Sequence, residues 1–302
     1  MKPCFIAHRG YSGKYLQNTE EAFIKAVEHG SGGIETDVRM TKDGVFVVNH
    51  NDEAKFFDGT ELIVADSTYE ELSKKALYND KSDEIVYICT FERYLEICRD
   101  ANMICFIELK GEFSDEDIKR LFTMAGEIYD LKKCSLQSFE FENLIKAHEA
   151  FPDLNIMLTY GKNCGDYRRC FDYGFDIDAD YKVATKEMVK EFHDKGLKVG
   201  LWTANNLFAL NFCRMLGVDY IESDISEDDA IMLIEKAGRV CYRSENKIKR
   251  VSGKNFIEKI FLFLYTYPIF LFSSYFSFRV LTKKEHTDRV LCARLCCAVI
   301  FI

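Results

Sequence analysis

The 302-residue sequence predicts an α/β fold, a (β/α)8 TIM barrel followed by a hydrophobic, basic C-terminal helical extension. Three observations carry that expectation. Eight short apolar runs, rich in β-branched and aromatic side chains, recur between residues 4 and 238, as buried parallel strands do. Most are followed by a stretch with apolar period near 3.6, which is the alternation of βα units. A doubly wound open sheet also fits the alternation, but no glycine-rich strand-to-helix turn of the nucleotide-binding kind is present.

In chain order the strand candidates are Cys4–His8, Gly33–Val38, Ile104–Lys110, Cys134–Ser138, Asn155–Tyr160, Phe175–Ala179, Lys198–Thr203 and Asp219–Glu222. Between the first two, Thr19–His29 has helical periodicity and stops at Gly30, a residue suited to a helix C-terminus. Ser114 opens another helix with an acidic first turn, Thr185–Lys195 runs into Gly196, and Ser226 begins a last one in the same manner. Residues 44–48 follow Lys42-Asp43-Gly44 and read as an extra hairpin strand. From about Asn51 to Ser82 periodicity is weak, which predicts a loop excursion with one short helix near Thr68–Ala76.

Charge divides the chain. Residues 239–302 hold 12 Lys+Arg against 4 Asp+Glu, a net of +8, leaving 28 against 45, a net of −17, in residues 1–238. So acidic a body argues against a nucleic-acid surface, which needs a basic footprint. Twelve cysteines without a CxxC pair give little support to structural zinc. With an opening Met-Lys-Pro-Cys-Phe-Ile rather than an apolar leader, they point to a reducing, cytoplasmic environment. Cys4, Cys105 and Cys134, inside apolar runs, are expected as small buried hydrophobes.

In a barrel of this kind the pocket forms where the strands end. The first strand ends in His8-Arg9-Gly10, the second carries Glu35 and Asp37, and the hairpin strand ends in Asn49-His50-Asn51. The third strand ends in Glu108-Leu109-Lys110, the fourth carries Gln137 and the seventh Trp202. In a strand, residues i and i+2 share a face, so Glu35 and Asp37 point together, as do Glu108 and Lys110. Three carboxylates in one mouth repel unless a cation neutralises them, and hard oxygen ligands suit Mg²⁺ or Ca²⁺. The expectation is therefore one divalent cation on Glu35, Asp37 and Glu108. His8 and His50 are candidates for general acid and base, with Arg9 and Lys110 offsetting phosphate charge. An acid pair in one strand is by itself usually a solvated face, and His50 alone is an ordinary loop histidine. What favours the catalytic reading is that these elements all fall at independently assigned strand ends. Trp202 is divided between core packing and a pocket wall, and Gln137 is equally open. His29, His148, His193 and His286 lack such context.

Ile6-Ala7-His8-Arg9-Gly10, Asn18-Thr19-Glu20-Glu21-Ala22-Phe23, Ile34-Glu35-Thr36-Asp37-Val38, Thr41-Lys42-Asp43-Gly44, Val47-Val48-Asn49-His50 and Ile107-Glu108-Leu109-Lys110 together resemble the glycerophosphodiester phosphodiesterase family. Leu201-Trp202-Thr203 and Gly217–Asp224 resemble its closing segments, so the likeness spans about residues 4–236. The resemblance implies a (β/α)8 barrel that uses a divalent cation to hydrolyse glycerophosphodiesters to glycerol 3-phosphate and an alcohol. It implies His8 and His50 as the acid/base pair, Glu35, Asp37 and Glu108 as metal ligands, and Arg9 and Lys110 as phosphate contacts. Two positions depart from the family pattern. Gln17 stands where the family usually has Glu, keeping an acceptor oxygen without the charge. Asn51 stands where the family usually has Asp directly after the second histidine, which predicts a lower pKa for His50. A lysophospholipase D-like activity on membrane lysolipids and a catalytically inactive phosphate-binding barrel are the competing readings.

The extension from 239 begins with a basic cluster, after which residues 260–278 are nineteen positions without a charge. That length just crosses a bilayer as a helix; Pro268 and the serines stand against spanning, and a flat amphipathic or re-entrant helix anchored by aromatic rings competes with it. The expectation is contact of residues 240–302 with the inner face of a membrane, against a competing one in which they pack on the barrel.

Overall fold

The computed structural model describes residues 2–235. Eight parallel strands close on themselves: Cys4–Ala7, Gly33–Met40, Ile104–Leu109, Cys134–Ser138, Asn155–Tyr160, Asp176–Asp180, Val199–Trp202 and Tyr220–Ser223. The first strand pairs with both the second and the eighth, which makes the sheet a barrel with helices outside it. Each strand lies within two residues of its expected bounds.

The helices begin where capping chemistry allows. Thr19, Ser114 and Thr185 accept the free N–H groups of the helices Glu20–Glu28, Asp115–Ile128 and Lys186–Asp194. Their apolar faces pack on the outward side chains of the strands, among them Ile34, Ile107, Leu136, Ile177 and Leu201, all fully buried. Tyr94, buried on the helix Phe91–Asp100, donates to the carbonyl of Ile34 at 2.7 Å and so ties helix to barrel wall.

Inside the barrel the two halves differ. Ile6, Phe106 and Met157 form an apolar plug toward the strand N-termini, with Tyr220 packed edge-to-face on Phe106. Above them the inward positions are mostly polar, among them Glu35, Asp37, Glu108, Gln137, Asp178 and Glu222, so the open end of the barrel is polar by construction.

The hairpin strand forms over Phe46–Val48, antiparallel to the second strand, with Val38 opposite Val48. The segment 51–82 needs correction. It carries the short helix, at Tyr69–Ser73, but also an antiparallel pair, Glu53–Lys55 with Glu61–Ile63. Three-residue strands are too short to show a period of two, and this pair rests on a separate small core of Ala54, Phe56, Val64, Leu72 and Ile88. Cys105 and Cys134 are fully buried, but Cys4 is only partly so; the described cysteines are all free thiols. The expectations for 239–302 lie outside the described residues, and among those described no helix is long and apolar enough to cross a membrane.

Candidate active site

Strand register decides which side chains meet. Asp37 stands opposite Glu108, and Glu108 opposite Gln137, so three polar residues lie abreast on neighbouring strands. Ile6 is level with Gly33, which brings His8 level with Glu35. Ala7 is level with Ser223, which brings His8 beside Asp224.

Ligand atoms of Glu35, Asp37 and Glu108 lie within 4.8 Å of one another, and all three residues are buried. The backbone N–H of Arg9 donates to Glu35 Oε2 at 2.8 Å, while Glu35 Oε1 has no hydrogen-bond partner. Arg9 Nε is 3.1 Å from Asp37 Oδ2, and its Nη1 donates to Gln17 Oε1 at 2.8 Å. Gln17 thus keeps the hydrogen-bonding role its uncharged acceptor allows. Lys110 Nζ lies 2.8 Å from Glu108 Oε1 and 3.3 Å from Asp37 Oδ1.

This packing perturbs the three carboxylates and the lysine. Burial and the Asp37 charge push Glu35 well above the usual carboxylate range. Burial raises Glu108 too, against the opposing pull of Lys110. Asp37 is lowered: burial would raise it, but Arg9 and Lys110 outweigh that. Burial acts to lower Lys110, but Asp37 and Glu108 more than offset it, so its pKa is raised. Five carboxylates, Glu35, Asp37, Glu108, Asp178 and Glu222, are buried together in the barrel interior; among the described residues Arg9 pairs with Asp37, and Lys110 with Asp37 and Glu108. An orphaned Glu35 oxygen beside two more carboxylates in an all-oxygen donor set fits a hard divalent cation.

The two histidines have different partners. His8 Nδ1 lies 2.6 Å from Asp224 Oδ1, and Asp224 also accepts from Ser12 at 3.1 Å and Asn205 at 2.5 Å. Burial acts to raise Asp224, but these donors bring its pKa below the usual range. His50 Nδ1 lies 2.8 Å from Asn51 Oδ1. Burial holds the His50 pKa below its ordinary value, and Arg9 and Lys110 add to that against the pull of Asp37. Arg39 fixes the loop, with Nη2 donating to the His50 carbonyl at 2.7 Å and Nη1 2.6 Å from Asp52.

Gln137 is buried beneath the mouth, its amide donating to Asp178 at 3.0 Å and Glu222 at 2.9 Å. Trp202 is partly buried; its Nε1 donates to the Asp178 carbonyl at 3.2 Å, and its ring meets Phe139 edge-to-face. Sequence reasoning assigned no role to Asp224, Asn18, Arg39, Asp178 or Glu222. Asn18, at φ +55°, donates to Asp37 Oδ2 at 2.7 Å and accepts from Thr36. Asp224 carried a readable signal, since it follows the eighth strand as His8 follows the first. His29 and His193 lie away from these groups, paired with Asp228 and Asp219.

Known proteins are similar to this chain in sequence and fold. A glycerophosphodiester phosphodiesterase of Caldanaerobacter subterraneus subsp. tengcongensis is 29% identical over 246 residues, covering 79% of this chain and all of the relative. Glycerophosphodiester phosphodiesterase 1 of Homo sapiens is 25% identical over 264 residues, 74% of this chain and 78% of the relative. The crystal structure of a glycerophosphodiester phosphodiesterase from Thermotoga maritima superposes with a TM-score of 0.61 at 26% identity, covering 77% of this chain and 97% of that one. An Oleispira antarctica phosphodiesterase, solved with the product sn-glycerol-3-phosphate, shares the fold with a TM-score of 0.68 at 20% identity, over 77% of this chain and 97% of that one. The family model described as the glycerophosphoryl diester phosphodiesterase family matches residues 8–227, and the chain belongs to that family.

Proposed function

We propose that this protein is a metal-dependent phosphodiesterase that hydrolyses glycerophosphodiesters to glycerol 3-phosphate and an alcohol. The observation that carries this reading is the buried Glu35–Asp37–Glu108 cluster, with His8, His50, Arg9 and Lys110 around one mouth. Glu35, Asp37 and Glu108 hold one divalent cation, Mg²⁺ or Ca²⁺. When bound, it supplies Lewis-acid stabilisation of charge on the phosphoryl oxygens.

The chain's own groups do the rest. Arg9 and Lys110 bind and orient the phosphodiester, Arg9 through a planar fork and Lys110 as a point charge. His50, whose pKa burial lowers, takes the proton of the attacking hydroxyl, whether from water or from the substrate's own glycerol. His8 gives a proton from Nε2 to the leaving alkoxide. The Asp224 carboxylate orients the ring through Nδ1 and compensates the charge that ring carries. Trp202, with Phe139 edge-to-face against it, offers an apolar wall to the substrate.

Residues 1–238 form the catalytic barrel, and we assign 239–302 to membrane contact on their +8 charge and uncharged aromatic run.

The test is release of glycerol 3-phosphate from glycerophosphocholine, compared with choline release from lysophosphatidylcholine, with Mg²⁺, Ca²⁺ or chelator. The first product, lost on chelation and in His8→Ala, His50→Ala and Glu35→Ala, is the expected result. Choline from the lysolipid alone supports a lysophospholipase D, and no turnover of either supports a binding barrel. Near-normal turnover by His50→Ala would sink the acid/base assignment.

A further inference from the structure

A second group of possible metal ligands shares Glu35 but is otherwise distinct from the first. One ligand atom each from His8, Glu35 and Glu222 lie within 4.8 Å of one another. Glu35 and Glu222 are 1% and 2% exposed, and Glu35 Oε1 has no hydrogen-bond partner. The donor type differs as well. An imidazole with two carboxylates suits borderline ions of the zinc class, whereas Glu35, Asp37 and Glu108 offer oxygen alone.

The surroundings support the ligands as metal sites do. A metal-bound histidine usually engages its other ring nitrogen with a carboxylate, which fixes the tautomer and raises the basicity of the ligating atom. His8 Nδ1 is held in this way by Asp224 at 2.6 Å, leaving Nε2 to ligate. Glu222 is anchored from behind by Gln137 Nε2 at 2.9 Å.

We infer that a zinc-class divalent cation binds His8, Glu35 and Glu222 and, by occupying His8 Nε2, withdraws that histidine from proton transfer. Binding forms a dative bond from the neutral imidazole and displaces water from the ion. No covalent bond of the chain breaks. The site itself is independent of the proposed mechanism; its inhibitory effect rests on the reading of His8 as the proton donor.

Co²⁺ serves as the spectroscopic probe for binding to the full-length, chelator-stripped protein. The expected result is a visible d–d spectrum without thiolate charge-transfer bands. Affinity should fall at least about tenfold in Glu222→Gln, and by about 10–100-fold in Asp224→Asn, which removes the charge behind His8. Circular dichroism and a thermal melt show that each variant is folded. In turnover assays with Mg²⁺, micromolar Zn²⁺ should inhibit, and Glu222→Gln should need about tenfold more Zn²⁺ for the same fractional inhibition of its own rate. Thiolate bands, or unchanged Co²⁺ affinity in a folded Glu222→Gln protein, overturn the site. Co²⁺ binding that depends on Glu222, without Zn²⁺ inhibition, keeps the site and overturns the role given to His8.

Discussion

Asn51→Asp puts a carboxylate against the nitrogen of the proposed base. Asn51 Oδ1 lies 2.8 Å from His50 Nδ1, so the charge centres would stand about 4 Å apart. At that distance the attraction for an imidazolium is about 1 kcal/mol in water and about 4 kcal/mol at the effective dielectric of a protein surface. Asn51 is exposed while His50 is partly buried, so the lower part of that range applies. An energy of about 1.4 kcal/mol raises the His50 pKa by roughly one unit, against the burial that now depresses it. The charged form is favoured, so a higher pH is needed to obtain the neutral base. The acidic limb of kcat/KM for glycerophosphocholine should move up by about one pH unit, costing about tenfold in rate on that limb and little on the plateau. NMR titration of the ¹⁵N-labelled imidazoles should show the same displacement at His50. An acidic limb that stays in place, or that moves while the His50 titration does not, refutes the reasoning.

Two further outcomes follow from the geometry. Gly200→Ala would place a Cβ 2.5 Å from Asp178 Oδ1, about 1 Å inside ordinary contact. Because Asp178 is held by Gln137 in a full interior, the variant should lose about 1–3 kcal/mol in urea denaturation, and wild-type stability would refute this. The full-length chain should float with vesicles containing anionic lipid and be released by salt, since its basic extension is the proposed contact. Equal recovery with neutral vesicles would refute an electrostatic contact.

Much of the site was legible because its residues sit at strand ends, and strand ends are readable. Glu35 with Asp37, and Glu108 with Lys110, follow from the period of two, and Thr19, Ser114 and Thr185 announce their helices as capping residues. The short Glu53–Lys55 and Glu61–Ile63 pair was not legible, since its stability comes from the few apolar contacts of its own small core. Gln137 illustrates a different limit. Its inward position could be read from the strand pattern, but its commitment to Asp178 and Glu222 depends on residues 41 and 85 positions away.

Local chemistry along the chain determined the number of barrel strands, the capped helix starts, the inward-facing acids and the family. These properties depend on residues a few positions apart, where periodicity and hydrogen-bonding type act directly. Tertiary structure alone decided which polar groups became partners. Barrel closure sets Ala7 level with Ser223 and thereby joins His8 to Asp224 across 216 positions, and it brings Glu222 to Glu35. The stagger of a closed sheet belongs to the ring as a whole, so no segment encodes it by itself.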